Sequence, residues 1–191
     1  MQQEAAERWN ERYAQDGERW LQQQPRRLLL EFAPLLPVRG LALDAAGGVS
    51  VHGAFLARRG MRVITLDISR VGLQLAQQHA AAAQLPLQTA VADLAAPLPL
   101  PAAGLDLIVN FRFLERSTFA DYRRVLKSGG WLVFETFVKA DKKTDHPYYY
   151  LEPGELHTAF ADFRIIHSEE KQLIGRSGTP KLAAQLVAQK P

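Results

Sequence analysis

Cysteine is absent from all 191 residues, which excludes disulfide bridges, thiolate metal sites and a cysteine nucleophile together. Long hydrophobic runs are lacking too. The greasiest early stretch, Leu28 to Val38, is interrupted by Glu31, Pro34 and Pro37, too broken for a membrane-spanning helix. Met1 to Asn10 has no apolar core of a secretory leader, so a soluble cytoplasmic chain without a membrane partner is expected. Strong charge of one sign is missing: 23 basic and 20 acidic residues leave a net charge of +3, short of a nucleic-acid signature. His52, His79, His157 and His167 show no metal-ligand spacing, and no metal is expected. What is present is ordinary for a globular chain, 47% apolar and 23% charged. That fits a single domain over 1–191 with a sizeable core.

The periodicity predicts two N-terminal helices, over 3–15 and 25–33, with Pro25 in the first turn of the second and Pro34 stopping it. A first strand over 41–45 is followed by a helix over 51–59 that ends at Gly60, a left-handed cap. The second strand covers 62–66, and Ser69 caps a helix that stops before Pro86. Strands over 87–92, 105–110 and 131–137 follow, with a helix over 117–126 between the last two. The runs at 41–45, 105–110 and 131–137 are nearly continuous apolar segments, as in a parallel sheet covered on both faces. After a loop over 138–152 and a short helix over 153–160, strands at 163–169 and 183–190 allow a closing antiparallel hairpin. The fold expected is α/β, a doubly wound, mostly parallel seven-stranded Rossmann-like sheet.

Asp44, Asp67 and Asp93 close successive strands. Strand-helix-strand spacing places all three on the carboxyl edge of the sheet, where such folds bind nucleotide-like ligands. The Asp67 carboxylate has the two oxygens needed to accept from both hydroxyls of an adenosine ribose. Gly47 and Gly48 would let the backbone approach a ligand closely. The glycine spacing at 47, 48 and 53 does not fit the G-x-G-x-x-G turn of a nicotinamide enzyme.

This pattern resembles the class I S-adenosylmethionine-dependent methyltransferases, in which a Gly-x-Gly-x-Gly turn follows the first strand. In Asp44-Ala-Ala46-Gly47-Gly48-Val49-Ser50, Gly48 matches one glycine while Ala46 and Ser50 replace the others; Ser50 could instead cap the next helix. Trp9-Asn-Glu-Arg-Tyr13 resembles the N-terminal helix that closes over the cofactor in the small tellurite-resistance and thiopurine type. Val91-Ala-Asp93-Leu94 is similar to the adenine-binding segment, and Leu126 to Glu135 to the family's turn and fifth strand. The resemblance implies S-adenosyl-L-methionine as cofactor, S-adenosyl-L-homocysteine as product, and residues 1–38 as a cofactor lid. It implies a cofactor shell of Trp9, Arg12, Tyr13, Asp44, Ala46, Gly47, Gly48, Asp67, Ile68, Asp93, Leu94 and Asn110.

The acceptor is less visible. Asn110 to Arg116 has no prolines after the fourth strand, which disfavours the amino-methylating nucleic-acid enzymes, and the missing cysteine disfavours pyrimidine carbon-5 chemistry. Arg112 or Arg116 could grip an acceptor carboxylate or phosphate, or one of them could pair with Glu115 or Glu135 to hold the loop. Glu135 is a candidate proton acceptor, polar anchor or loop acceptor. The stretch 138–152 carries Lys139, Lys142, Lys143, His146 and Tyr148 to Tyr150, which reads either as a lid over an acceptor pocket or as a solvated loop. On the first reading Tyr149 contacts the acceptor and His146 is a general-base candidate. A small-molecule acceptor is favoured, with a tRNA or protein acceptor and a non-catalytic cofactor-binding module as alternatives.

Overall fold

The computed structural model describes residues 2–139, 149–174 and 178–191. It begins with helix α1 (Gln2–Leu21), α2 (Arg27–Phe32) and a 3₁₀ turn (Ala33–Leu35). The core alternation runs β1 (Leu41–Ala45), α3 (Val51–Arg58), β2 (Arg62–Asp67), α4 (Arg70–Ala82), β3 (Leu87–Val91), β4 (Leu105–Phe111), α5 (Thr118–Val125) and β5 (Leu126–Phe137). The chain closes with α6 (Glu155–Ala159), β6 (Arg164–Ile174) and β7 (Pro180–Gln189). The seven strands lie in the order β3-β2-β1-β4-β5-β7-β6. The first five are parallel, and β7 runs antiparallel to both β5 and β6. This is the doubly wound, mostly parallel sheet with a C-terminal antiparallel hairpin that the apolar runs and turn signals predict. Among the described residues no helix is long and apolar enough to cross a membrane.

Alternation along the central strands divides the core between the two faces of the sheet. Leu43, Ile108, Leu132 and Phe134 pack on one face with Tyr122 and Val125 of α5 and with Phe160. Ala42, Leu107, Val109 and Val133 pack on the other with Leu28 and Leu29 of α2 and with Leu56 of α3. Both faces are covered, so the parallel strands are apolar on both sides. Asp44 pairs with Thr65, Ala45 with Asn110, and Phe111 with Glu135 in register. The polar residues that end these strands are therefore level at one edge.

Several boundaries differ from the sequence pattern: β5 opens at Leu126 rather than 131, β6 runs to Ile174 rather than 169, β7 opens at Pro180 rather than 183, and both N-terminal helices shift. Helix α1 runs to Leu21 rather than to residue 15. The Asp16-Gly17 pair looks like a stop, yet Gly17 is buried where α1 crosses α4, and a Cβ there would collide with Leu75. Helix α2 starts after Pro25 with Arg26 as its N-cap, and Pro34 sits inside the 3₁₀ turn. Proline lacks only a donor that such a short turn leaves unused.

Candidate functional site

The turn after β1 takes a left-handed backbone at every second residue. Ala46, Gly48 and Ser50 have φ of 50°, 55° and 55°. Glycine adopts this region without penalty, whereas an L-residue is disfavoured there by about 1–2 kcal/mol. Gly48 needs its missing side chain for a further reason: a Cβ there would collide with the Tyr13 hydroxyl. The space over Gly48 belongs to Tyr13 of α1.

Ser50 does not cap α3 with its side chain. Its Oγ donates to Asp44 Oδ2 over 2.8 Å and lies 2.6 Å from Thr65 Oγ1. Asp44 Oδ2 also accepts from the Gly53 N–H at 3.0 Å. Burial pushes the Asp44 carboxyl up to about 7; the bonds from Ser50 and Gly53 oppose the rise and the Asp67 charge adds to it. The capping expectation fails because the hydroxyl is engaged inward, under the turn, by Asp44 and Thr65.

Asp67 ends β2 with only 6% exposure. Its Oδ2 accepts from the Gly48 N–H and its Oδ1 from the Ser69 N–H, both at 2.8 Å. Burial raises this carboxyl, with the backbone bonds of Ser69, Gly48 and Ile68 opposing. Ser69 caps α4 as expected, accepting from the Gly72 N–H. Asp93 gives Oδ1 to the Ala95 N–H at 2.9 Å, while its Oδ2 is buried with no hydrogen-bond partner among the described residues. Leu94 beside it is buried. The unused Asp93 oxygen suits a donor from a ligand, since a buried acceptor left unpaired costs about 1–3 kcal/mol.

Helix α1 lies over this edge. Tyr13 is buried and stacks on Trp9 at 5.7 Å and edge-on against Trp20 at 5.3 Å. Arg12 lies over the rings of Trp9 and Trp20 at 5.2 and 5.3 Å. Asn10 accepts from the Ser69 hydroxyl at 2.8 Å and from the Val71 N–H at 3.2 Å, which ties α1 to the start of α4. Sequence reasoning missed Asn10 and Trp20. Trp20 lies seven residues, about two turns, beyond Tyr13, a signal hidden by ending the helix early.

On the acceptor side, Asn110 is fully buried; its Nδ2 donates to the Tyr122 hydroxyl, and its Oδ1 has no partner among the described residues. Arg112 has φ of 65°, and its Nε stands 3.1 Å from Glu135 Oε1. Glu135 Oε2 accepts from Gln185 Nε2 at 2.6 Å. Arg116 instead reaches α6 in a two-pronged pair with Glu155, at 2.5 and 2.8 Å. Both arginines therefore already hold a carboxylate. Arg116, Phe119, Pro153 and Thr158 line a groove of about 440 Å³ beside that pair. Tyr149 is 55% exposed, and Lys139 pairs with Glu152 at 3.2 Å. His146, with Lys142, Lys143 and Tyr148, lies outside the described residues. A second cavity, of about 240 Å³ under residues 21–25, reaches the turn at Val49 to Val51 but includes neither Asp67 nor Asp93.

Comparison with known proteins agrees with this geometry. Residues 42–130 match the model of a methyltransferase domain family. A 102-residue stretch is 29% identical to the ubiquinone biosynthesis O-methyltransferase of Chromobacterium violaceum, covering 49% of this chain and 43% of that protein. The chain thus spans less than half the length of that curated relative. Among solved structures, a SAM-dependent methyltransferase from Methanosarcina mazei superposes with a TM-score of 0.72 at 19% identity, over 88% of this chain and 99% of its own. TehB from Haemophilus influenzae gives a TM-score of 0.75 at 17% identity, over 86% of this chain and 61% of its own. At such identities the structural likeness concerns the fold alone. Residues 42–130 are thus similar to the methyltransferase domain family, and the sheet that contains them has the fold of the SAM-dependent methyltransferases on which it superposes.

Proposed function

We propose that the chain binds S-adenosylmethionine across the carboxyl ends of β1, β2 and β3 and moves its methyl group to a small-molecule acceptor. The observation that carries this reading is the turn itself. Left-handed residues stand at all three positions where the family has glycine, although two of the three are not glycine here. In this reading Asp67 accepts from the ribose hydroxyls, and the unpaired Asp93 Oδ2 accepts from the adenine amino group beside Leu94 and Ile68. Asp44, Ala46, Gly47 and Gly48 form the floor, with Asn110 at its far side. Trp9, Arg12 and Tyr13 make α1 the lid, because Tyr13 is the side chain that covers Gly48.

The cofactor supplies a methyl group on a sulfonium, already a good leaving group. The chain's part is then to place the acceptor atom about 3 Å from that carbon and keep water away. Glu135, held by Arg112 and Gln185, serves this as an anchor for the Arg112 guanidinium rather than as a proton acceptor.

Calorimetry with S-adenosylmethionine and S-adenosylhomocysteine tests the cofactor, and transfer of radiolabel into metabolite and RNA fractions tests the activity. Binding with label entering a small-molecule fraction is the expected result. Binding without label in any fraction identifies a non-catalytic module, and label in RNA moves the acceptor to nucleic acid. A folded protein that binds neither compound ends the proposal.

A further inference from the structure

The groove of about 440 Å³ runs between the first turn of α5 and the chain leading into α6. Its size lies in the range of about 300–1,000 Å³ that small-ligand pockets occupy. Helices α5 and α6 follow β4 and β5, so both begin at the carboxyl edge of the sheet. Phe119 lines the groove one turn before Tyr122, and the Tyr122 hydroxyl accepts from Asn110 Nδ2 at 2.9 Å. Asn110 in turn pairs with Ala45 of β1. One helix thus joins the groove to the edge where the cofactor reading places its ligand.

The wall of the groove has no charge to spare. Arg116 gives Nε and Nη2 to the Glu155 carboxylate, and Nη2 also donates to the Tyr150 carbonyl at 3.1 Å. Each partner favours the charged form of the other: Arg116 holds the Glu155 carboxyl below its usual range, and Glu155 raises the guanidinium. Glu155 Oε2 accepts in addition from the Glu152 N–H at 2.8 Å, and Glu152 Oε1 accepts from Lys139 at 3.2 Å. The three charged side chains that line the groove, Arg116, Glu152 and Glu155, are therefore all paired. The apolar part of the wall is anchored from behind. Phe119 packs on Phe134 at 5.9 Å and on Phe160 at 5.3 Å, both fully buried. Above Gly154 the groove is open, since a Cβ there would meet nothing within 4 Å.

We propose that this groove holds the methyl acceptor, and that the acceptor is an uncharged, apolar small molecule. A charged group in the groove would either leave water without a partner or draw Glu155 away from Arg116, and both cost free energy. An apolar body needs nothing from those ions and gains by burying its surface against Phe119 and Pro153. The word acceptor rests on the methyltransferase reading, but occupancy of the groove can be measured without the cofactor.

The test is calorimetry of naphthol, naphthoate and naphthylmethylammonium on wild type, Thr158→Trp and Thr158→Ser, with S-adenosylhomocysteine titrated in parallel. Thr158 is exposed on α6 and lines the groove. A tryptophan there would fill the space at little cost in helix propensity, whereas serine leaves it open. Naphthol should bind wild type about tenfold or more tightly than either ion, with no dependence on ionic strength. Thr158→Trp should weaken naphthol about tenfold or more and leave S-adenosylhomocysteine affinity unchanged; Thr158→Ser should match wild type for both. Intermolecular NOEs from naphthol to the Phe119 ring locate the probe without any substitution. No naphthol binding by the folded protein would overturn the proposal, as would either ion binding as tightly as naphthol. So would naphthol affinity unchanged in Thr158→Trp with wild-type melting behaviour, or NOEs that miss Phe119. Naphthol binding in the groove of a protein that never binds S-adenosylhomocysteine keeps the site and removes the methyltransferase reading instead.

Discussion

Asp44→Asn should flatten the pH dependence of stability. Asp44 is 1% exposed and its carboxyl is raised from 3.8 to about 7, chiefly by burial. Unfolded, it titrates near 3.9. A raised acid binds its proton more tightly in the folded state, so its contribution is fully present below about pH 4 and is lost as pH rises through about 7. Between about pH 5 and 8 the unfolded chain has already ionised while the folded one gives up its proton late. The two titration curves together put the loss at roughly 3 kcal/mol over that interval. Both bonds to Asp44 fall on Oδ2, and an amide oxygen can accept them, so the substitution changes charge with little change in shape. For a chain of this size, each kcal/mol shifts Tm by about 2–4 °C. Wild type should therefore lose roughly 6–12 °C more than Asp44→Asn between these pH values in ligand-free melts, the difference between the two cancelling other titrating groups. Parallel Tm-against-pH curves would show that Asp44 is not held neutral, and the account of the buried turn would fail with it.

Asp67→Ala should weaken S-adenosylhomocysteine binding at least tenfold by calorimetry, because charged hydrogen bonds are lost; unchanged affinity in a folded variant removes Asp67 from the ribose role. Gly48→Ala should destabilise the protein by about 1–3 kcal/mol in denaturant titrations, since its methyl would collide with Tyr13, and adding Tyr13→Ala should restore part of the loss; an unchanged midpoint for Gly48→Ala refutes the packing of α1 on the turn. Arg112→Ala should raise the acceptor KM and leave cofactor affinity intact. It also strands the buried Glu135 carboxylate at a cost of about 3–5 kcal/mol, so pairing it with Glu135→Gln should recover stability but not acceptor use; a selective loss of cofactor binding contradicts this.

The sheet was largely legible because its physics is local. Buried parallel strands must be apolar on both sides, and Leu41, Leu105 and Trp131 each open such a run after a turn residue. Element lengths were less legible where packing overrides propensity. Gly17 reads as a helix stop, but against Leu75 it is what lets two helices touch. The positions of the acids were readable and their bonding was not. Asp67 spends one oxygen on the backbone of the β1 turn and the other on the α4 cap, and the Asp44–Ser50–Thr65 chain needs β2 in register with β1 to bring Thr65 to the turn. For the arginines two readings stood open, and the ion pairs with Glu135 and Glu155 show which carboxylates each holds. His52 had no signal, because its stack on Phe111 depends on how α3 lies beside β4.

The turn explains how this chain departs from the glycine pattern yet keeps its shape. Left-handed backbone at Ala46 and Ser50 is disfavoured by about 1–2 kcal/mol each, and something must offset it. At Ser50 the offset is visible: the inward hydroxyl satisfies a buried carboxylate that would otherwise lose a donor. A glycine at 50 would relax the backbone and leave Asp44 with only the Gly53 N–H as a donor among the described residues. Strain and hydrogen bonding thus pull Ser50→Gly in opposite directions, whereas Ser50→Ala keeps the strain and loses the bond. At position 46 there is no hydroxyl, and alanine is the smallest side chain that can take the strain. The two replacements are therefore different solutions at different depths: 50 is buried and wired to β1 and β2, while 46 is half-buried at the rim. Only Gly48, where Tyr13 occupies the space a side chain would need, has no substitute.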